Sequence, residues 1–167
     1  MQNLNFLLYN AKMPETLTEI DIVIRLCLAF VAGFIIGLER SSRRQVAGLR
    51  THILISLGAS CLMLLSIWIP QQMGGGDPGR IAAQVVAGMG FLGAGAIIKL
   101  GNNIRGLTTA ASLWLTAAIG LTIGAGMYIA ACAVVVLALI TLVFIHFLEK
   151  KIFPEDNWKK ITPEKEN

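Results

Sequence analysis

Charge is what this sequence has least of. Asp, Glu, Lys and Arg make up 14% of its 167 residues and hydrophobic residues 55%, whereas ordinary soluble domains carry about 25% charged residues. A soluble chain this apolar could not cover its own surface, so lipid has to solvate part of it. Acids are scarcer still: between Asp21 and Glu149 only Glu39 and Asp77 occur. Catalytic constellations are missing as well. His52 and His146 stand far apart on different apolar runs, and Gly74-Gly75-Gly76 is followed by neither Lys nor Ser/Thr, so no phosphate-binding loop is present. The chain is therefore expected not to be an enzyme. The three cysteines, Cys27, Cys61 and Cys132, fall in three different apolar runs without metal-ligand spacing. They are expected to act as buried small hydrophobes. Basic residues are not interleaved with aromatics, which speaks against a nucleic-acid partner despite a pI near 9.2. Before the first apolar run Lys12 is the sole basic residue, and Glu15, Glu19 and Asp21 follow. That is the wrong charge for a signal-peptide start, so the first span is expected to remain in the mature protein.

What the sequence does hold is long apolar runs. A bilayer core about 30 Å thick needs roughly 17–25 residues of helix, and five stretches qualify: 22–38, 51–69 (stopped by Pro70), 81–98, 107–123 and 127–148. The last two divide at Gly124-Ala125-Gly126. Backbone amides in lipid must find partners within their own segment, so these runs are expected to be helices. The expected fold is all-α, a polytopic bundle of five transmembrane helices in the lipid bilayer. Residues 1–21 would lie outside the cytoplasm, 22–148 would form the bundle, and 149–167 would be a short cytoplasmic tail. Arg40, Arg43, Arg44, Arg50, Lys99, Arg105 and the lysines after residue 148 fall on one side, against Lys12 and Arg80 on the other. The excess of positive charge marks the cytoplasmic side, giving N-out and C-in. A parallel internal repeat of helices 1–2 and 3–4 is also legible. Val31-Ala32-Gly33 leads to Gly48-Leu49-Arg50-Thr51, and Val86-Ala87-Gly88 leads to Gly106-Leu107-Thr108-Thr109.

Small and polar residues recur four apart, which puts them on one helix face. Helix one carries Arg25, Ala29, Gly33 and Gly37; helix two His52, Ser56 and Ser60; helix three Gln84, Gly88, Phe91 and Gly95 on an i, i+4, i+7, i+11 path; helix four Thr108, Ser112, Thr116 and Gly120. One reading is tight packing, in which Gly33, Gly37, Gly88, Gly90, Gly93 and Gly95 let backbones approach. Helix three, richest in Gly and Ala, is expected at the centre of the bundle. The other reading is a hydrated path lined by Gln84, Ser56, Thr108, Thr109 and Ser112. Arg25, one turn into helix one, can snorkel toward Glu19 or Asp21. Glu39, Arg40, Arg50 and Arg105 form a candidate charge cluster, with Glu39 expected to be clamped chiefly by Arg50 and secondarily by Arg105. Asp77 is the one acid of the outer loop and a weak candidate for magnesium, which keeps several of its waters. The run Asp77-Pro78-Gly79 is equally ordinary turn chemistry.

Several of these motifs carry a family resemblance. Gly37-Leu38-Glu39-Arg40, Gly48-Leu49-Arg50-Thr51, Arg80-Ile81-Ala82-Ala83-Gln84, Gly90-Phe91-Leu92-Gly93-Ala94-Gly95 and Arg105-Gly106-Leu107-Thr108-Thr109 running on to Trp114 resemble the MgtC/SapB family of bacterial membrane proteins, in order and spacing, over residues 26–148. The resemblance implies a multi-pass protein of the bacterial inner (plasma) membrane engaged in magnesium transport or homeostasis. No cofactor is implied beyond Mg2+ as the ion carried or sensed. It also implies an alternative, a regulator that binds another membrane complex such as the ATP synthase without moving ions. A homo-oligomer is compatible with either. Longer members carry a soluble C-terminal domain; the polar residues 149–167 are too few for a core, so the short SapB-like type is the expectation. A third class, a lipid-interacting protein using its arginines on anionic lipid, rests on charge alone.

Overall fold

The computed structural model describes residues 17–101 and 103–152. Of the expected outer segment 1–21 and cytoplasmic tail 149–167, residues 1–16 and 153–167 lie outside the described residues. Helix α1 spans Glu19–Ser42, α2 Leu49–Met73, α3 Arg80–Ala96, α4 Leu107–Gly124 and α5 Tyr128–Leu139. A π-helical stretch, Ile140–Ile145, continues α5 into a last helix, α6, at His146–Ile152. By length and composition four helical segments can cross a membrane: α1, α2, α4 and Tyr128–Ile145.

Each boundary has a local cause. Thr18 caps α1 in a reciprocal box with Asp21, closing the first free amides. Helix α2 does not stop at Pro70 as expected but runs on to Met73. Pro70 gives up a single amide bond, and beyond it the amides of Gly74 and Gly75 both return to its carbonyl. Gly74 then leaves the helix at φ 72°, a left-handed conformation that glycine adopts without steric penalty. Helix α3 is shorter than the expected 81–98 because Ile97 turns extended. Two short strands follow, β1 Ile98–Leu100 and β2 Asn103–Arg105, paired antiparallel with Ile98 opposite Arg105. The chain is thus not helical throughout, and this hairpin sits among exposed residues rather than in the packed bundle. At the break between α4 and α5, Gly126 takes φ 80°, and the helices divide where the two glycines stand. In the π-helical stretch the Thr141 hydroxyl donates to the Leu137 carbonyl at 2.8 Å, competing with the regular backbone ladder.

Close approaches fix the directions of the helices. A methyl group added at Gly37 would lie 2.8 Å from the Leu49 Cα, and one at Gly33 2.7 Å from the His52 carbonyl oxygen, so α1 and α2 run antiparallel. Gly120 faces Ser56 and Gly124 faces Ser60, so α2 and α4 run parallel. Gly93 meets Ala110, and Gly106 is pressed against the Ala96 carbonyl, which makes α3 antiparallel to α4. In consequence Arg43, Arg44, Arg50, Lys99 and Arg105 gather at one end of the bundle, and Arg25 and Arg80 at the other.

Packing concentrates on α4, of which half is buried. One apolar cluster joins Ala29 and Ile36 of α1 to Ile119 and Ile123 of α4 and Ala131 of α5. A second joins Ala59 of α2 to Met89 and Ala96 of α3 and to Leu113 and Ala117 of α4. The centre therefore belongs to α2 and α4, which corrects the expectation for helix three. Gly88, Gly90 and Gly95 open onto free space, and only Gly93 of that set is buried. A stripe of small residues permits close packing without specifying that a neighbour is there. The cysteines are likewise exposed on the outer surface rather than buried.

Candidate functional site

A seam of buried polar side chains runs between α2 and α4, closed on one side by α1. Helix α2 supplies His52, Ser56 and Ser60 at intervals of one turn, and α4 supplies Thr109, Ser112 and Thr116; all six are 0–4% exposed. Glycines bring these backbones together. At Gly120 an added methyl would collide with the Ser56 carbonyl, and at Gly124 it would lie 2.7 Å from that of Ser60.

Hydrogen bonding within the seam is uneven. His52 Nδ1 lies 2.9 Å from the Gly48 carbonyl. A carbonyl only accepts, so Nδ1 carries the hydrogen. Nε2 faces the Ser112 hydroxyl at 3.3 Å, and that hydroxyl donates to the Thr109 carbonyl at 2.8 Å. Thr116 donates to the Ser112 carbonyl at 2.8 Å, and Thr109 reaches Gln45 Oε1 at 3.2 Å toward the basic end. Among the described residues the hydroxyls of Ser56 and Ser60 have no hydrogen-bond partner. Each such buried group costs about 1–3 kcal/mol in lost solvation, so the seam holds unused hydrogen-bonding capacity at its most enclosed point.

Of the residues expected to line a polar path, Ser56, Thr109 and Ser112 come together here, whereas Gln84 and Thr108 are exposed and stand apart. His52, Ser60 and Thr116 complete the seam; the signal that marks them is their place four residues from Ser56 or Ser112. Arg25 was not legible in the same way. Rather than reaching away from the bundle to Glu19 or Asp21, it donates from Nη1 to the Gly124 carbonyl at 2.8 Å, closing the C-terminal end of α4 where the helix dipole is negative.

At the basic end, Glu39 is paired with Arg40 through Oε2 at 2.5 Å and with Arg43 through Oε1 at 2.5 Å. The second contact is an ion pair without hydrogen-bond alignment. The Arg40 and Glu39 side chains are 3% and 9% exposed. The expected clamp by Arg50 or Arg105 is not formed: both are exposed, and among the described residues neither pairs with Glu39. Arg43 stands one helical turn from Glu39 on the same face, whereas Arg50 belongs to the next helix. Asp77 spends Oδ1 on the Gly79 amide at 2.8 Å, the turn bond its sequence allows, and the Ser66 hydroxyl ties the same loop to α2 through the Pro78 carbonyl. Among the described residues no three His, Cys, Asp or Glu side chains converge to hold a metal ion.

The family model for the MgtC family matches residues 26–151. YhiD of Escherichia coli K12, named there as a candidate magnesium transporter, is 44% identical over 147 residues, covering 85% of this chain and 68% of its own length. Protein MgtC of Salmonella typhimurium LT2 is 42% identical over 127 residues, 76% of this chain and 53% of that protein. Protein MgtC of Brucella abortus is 50% identical over 103 residues, 60% of this chain and 42% of that protein. The chain thus spans about half the length of the MgtC proteins it matches. No solved structure matches it.

Proposed function

The chain belongs to the MgtC family, and on that premise we propose that it is a multi-pass protein of the bacterial inner membrane that serves magnesium transport or homeostasis through the seam of α2 and α4. The observation that carries the seam's role is the pair of unpartnered hydroxyls, Ser56 and Ser60, beside the buried His52. Purely structural serines in a dry interface close on a backbone carbonyl, as Thr116 and Thr122 do. Free hydroxyls there are ligands for water or for the hydration shell of a cation, since magnesium prefers oxygen and gives up its waters reluctantly. The reading includes five crossings, with α3 at the lower limit of spanning length, N-terminus outside and basic end in the cytoplasm. The parallel course of α2 and α4, each entered through Gly-Leu-x-Thr, supports helices 1–2 and 3–4 as a repeat. No catalysis and no resident cofactor form part of it.

The test is magnesium uptake by the purified protein in liposomes under an imposed gradient, wild type against the Ser56→Ala, Ser60→Ala double variant. Uptake that the double variant loses supports the seam as the path. A second reading, a regulator of another membrane complex, is favoured by the lack of converging carboxylates among the described residues. It is preferred if the wild type moves no magnesium in liposomes yet restores growth of a deficient strain in low magnesium.

A further inference from the structure

Where α2, α3 and α4 meet near the basic end, a cleft of about 480 Å³ opens to the outside of the bundle. Val46, Thr51 and Ile55 form one wall, Phe91 and Gly95 the other, and Leu113 lies at its base. Among the described residues the Thr51 hydroxyl is the sole polar side-chain group lining it. Phe91, at the lip, is 82% exposed, and a methyl group added at Gly95 would meet nothing within 4 Å. Apolar walls this open to the bilayer call for an apolar occupant.

The mouth of the cleft has the opposite character. Arg50 directly precedes Thr51. Arg105 is paired across the hairpin with Ile98 and is followed by Gly106, which packs on the backbone of Ala96, another residue of the cleft. Both arginines are exposed and form no ion pair among the described residues, because Glu39 is already taken by Arg40 and Arg43. Helices α2 and α4 also start at this end with Gly48 and Gly106 as caps that offer no side chain and with no acid in their first turns, the Leu49 amide donating instead to the Ser41 hydroxyl at 2.7 Å. Positive charge thus stands beside an apolar slot.

We propose that the α2–α3–α4 cleft seats an anionic phospholipid, with an acyl chain in the slot beside Gly95 and the phosphate between Arg50 and Arg105. A zwitterionic lipid would leave the two arginines uncompensated, and a free phosphate would leave the apolar slot unexplained. A protein helix needs a longer groove than the single turn from Thr51 to Ile55 provides.

The experiment is native mass spectrometry of the full chain, released from detergent carrying equal amounts of dioleoylphosphatidylglycerol and dioleoylphosphatidylcholine. One cation near an anionic surface favours binding about five-fold, so two should favour the anionic lipid about thirty-fold. Arg50→Gln with Arg105→Gln, both at exposed positions, should bring that ratio near one while one lipid per chain is still retained. Gly95→Leu should fill the slot and reduce retention of both lipids at least ten-fold, at an unchanged melting temperature. Equal retention of the two lipids by the wild type overturns the proposal, as does an unchanged ratio in the double arginine variant. Should Gly95→Leu fail to fold, the arginine pair decides alone. A two-chain species that Gly95→Leu abolishes, with no lipid retained, also overturns it and assigns the cleft to a second copy.

Discussion

A hydroxyl in a dry helix interface ordinarily bonds to the carbonyl four residues back, which Thr116 and Thr122 both do. Ser56 and Ser60, fully buried, do not. Replacing both by alanine should leave the melting temperature in detergent unchanged or raised, because each unpartnered hydroxyl costs about 1–3 kcal/mol. The same variant should fail to support growth in low magnesium; normal growth would make the seam a packing surface alone. Glu39 poses the complementary case. Glu39→Gln leaves the buried Arg40 guanidinium without its counter-charge and should cost about 2–3 kcal/mol, read as a lower melting temperature. Arg50→Gln should leave the melting temperature where it is, since Arg50 is exposed and unpaired among the described residues. Equal effects of the two substitutions would contradict the pairing. Sequence spacing brought Glu39 into a cluster of arginines, but which arginine it meets depends on helix phase. Arg43 shares its face and Arg50 does not.

At the scale of helices, glycines separate into two kinds that composition alone leaves indistinguishable. Gly33 and Gly37 of α1 and Gly120 and Gly124 of α4 are pressed against α2, whereas Gly88 and Gly90 of α3 face open space. Gly120→Ala should force apart α2 and α4, since the added methyl would overlap the Ser56 backbone and sit 2.9 Å from the Ala59 Cβ. Overpacking of this kind costs about 1–3 kcal/mol, visible as a lower melting temperature. Gly88→Ala and Gly90→Ala should instead hold or gain stability, by up to about 1 kcal/mol each, because alanine loses less entropy in a helix interior. A loss at Gly88 as large as at Gly120 would mean that α3 packs against something in the membrane at full contact. Pro70 teaches the same lesson about boundaries. Its missing amide marks a weak point, yet α2 passes through it because Gly74 and Gly75 close the last turn on the Pro70 carbonyl.

For the whole molecule, the helix directions fixed by Gly33, Gly93 and Gly120 collect Arg40, Arg43, Arg44, Arg50, Lys99 and Arg105 at one end. Reporter fusions after Lys150 should therefore report the cytoplasm, and fusions at Gly75 the opposite side; the reverse at either site would break the five-crossing, N-out reading. The helical, membrane-embedded character of the chain follows from sequence alone. Apolar runs of spanning length leave backbone amides no partner except their own helix, and ordered motifs from Gly37 to Trp114 carry the family. The break at Gly124 to Gly126 was equally legible, because two glycines interrupt an otherwise continuous run. Only the tertiary structure decided that α2 and α4 hold the centre, that Arg25 closes α4, and that the glycines of α3 stand open. An i, i+4 stripe states which residues share a face, while the partner of that face depends on how neighbouring helices are turned about their axes, a quantity set by contacts between segments distant in the chain.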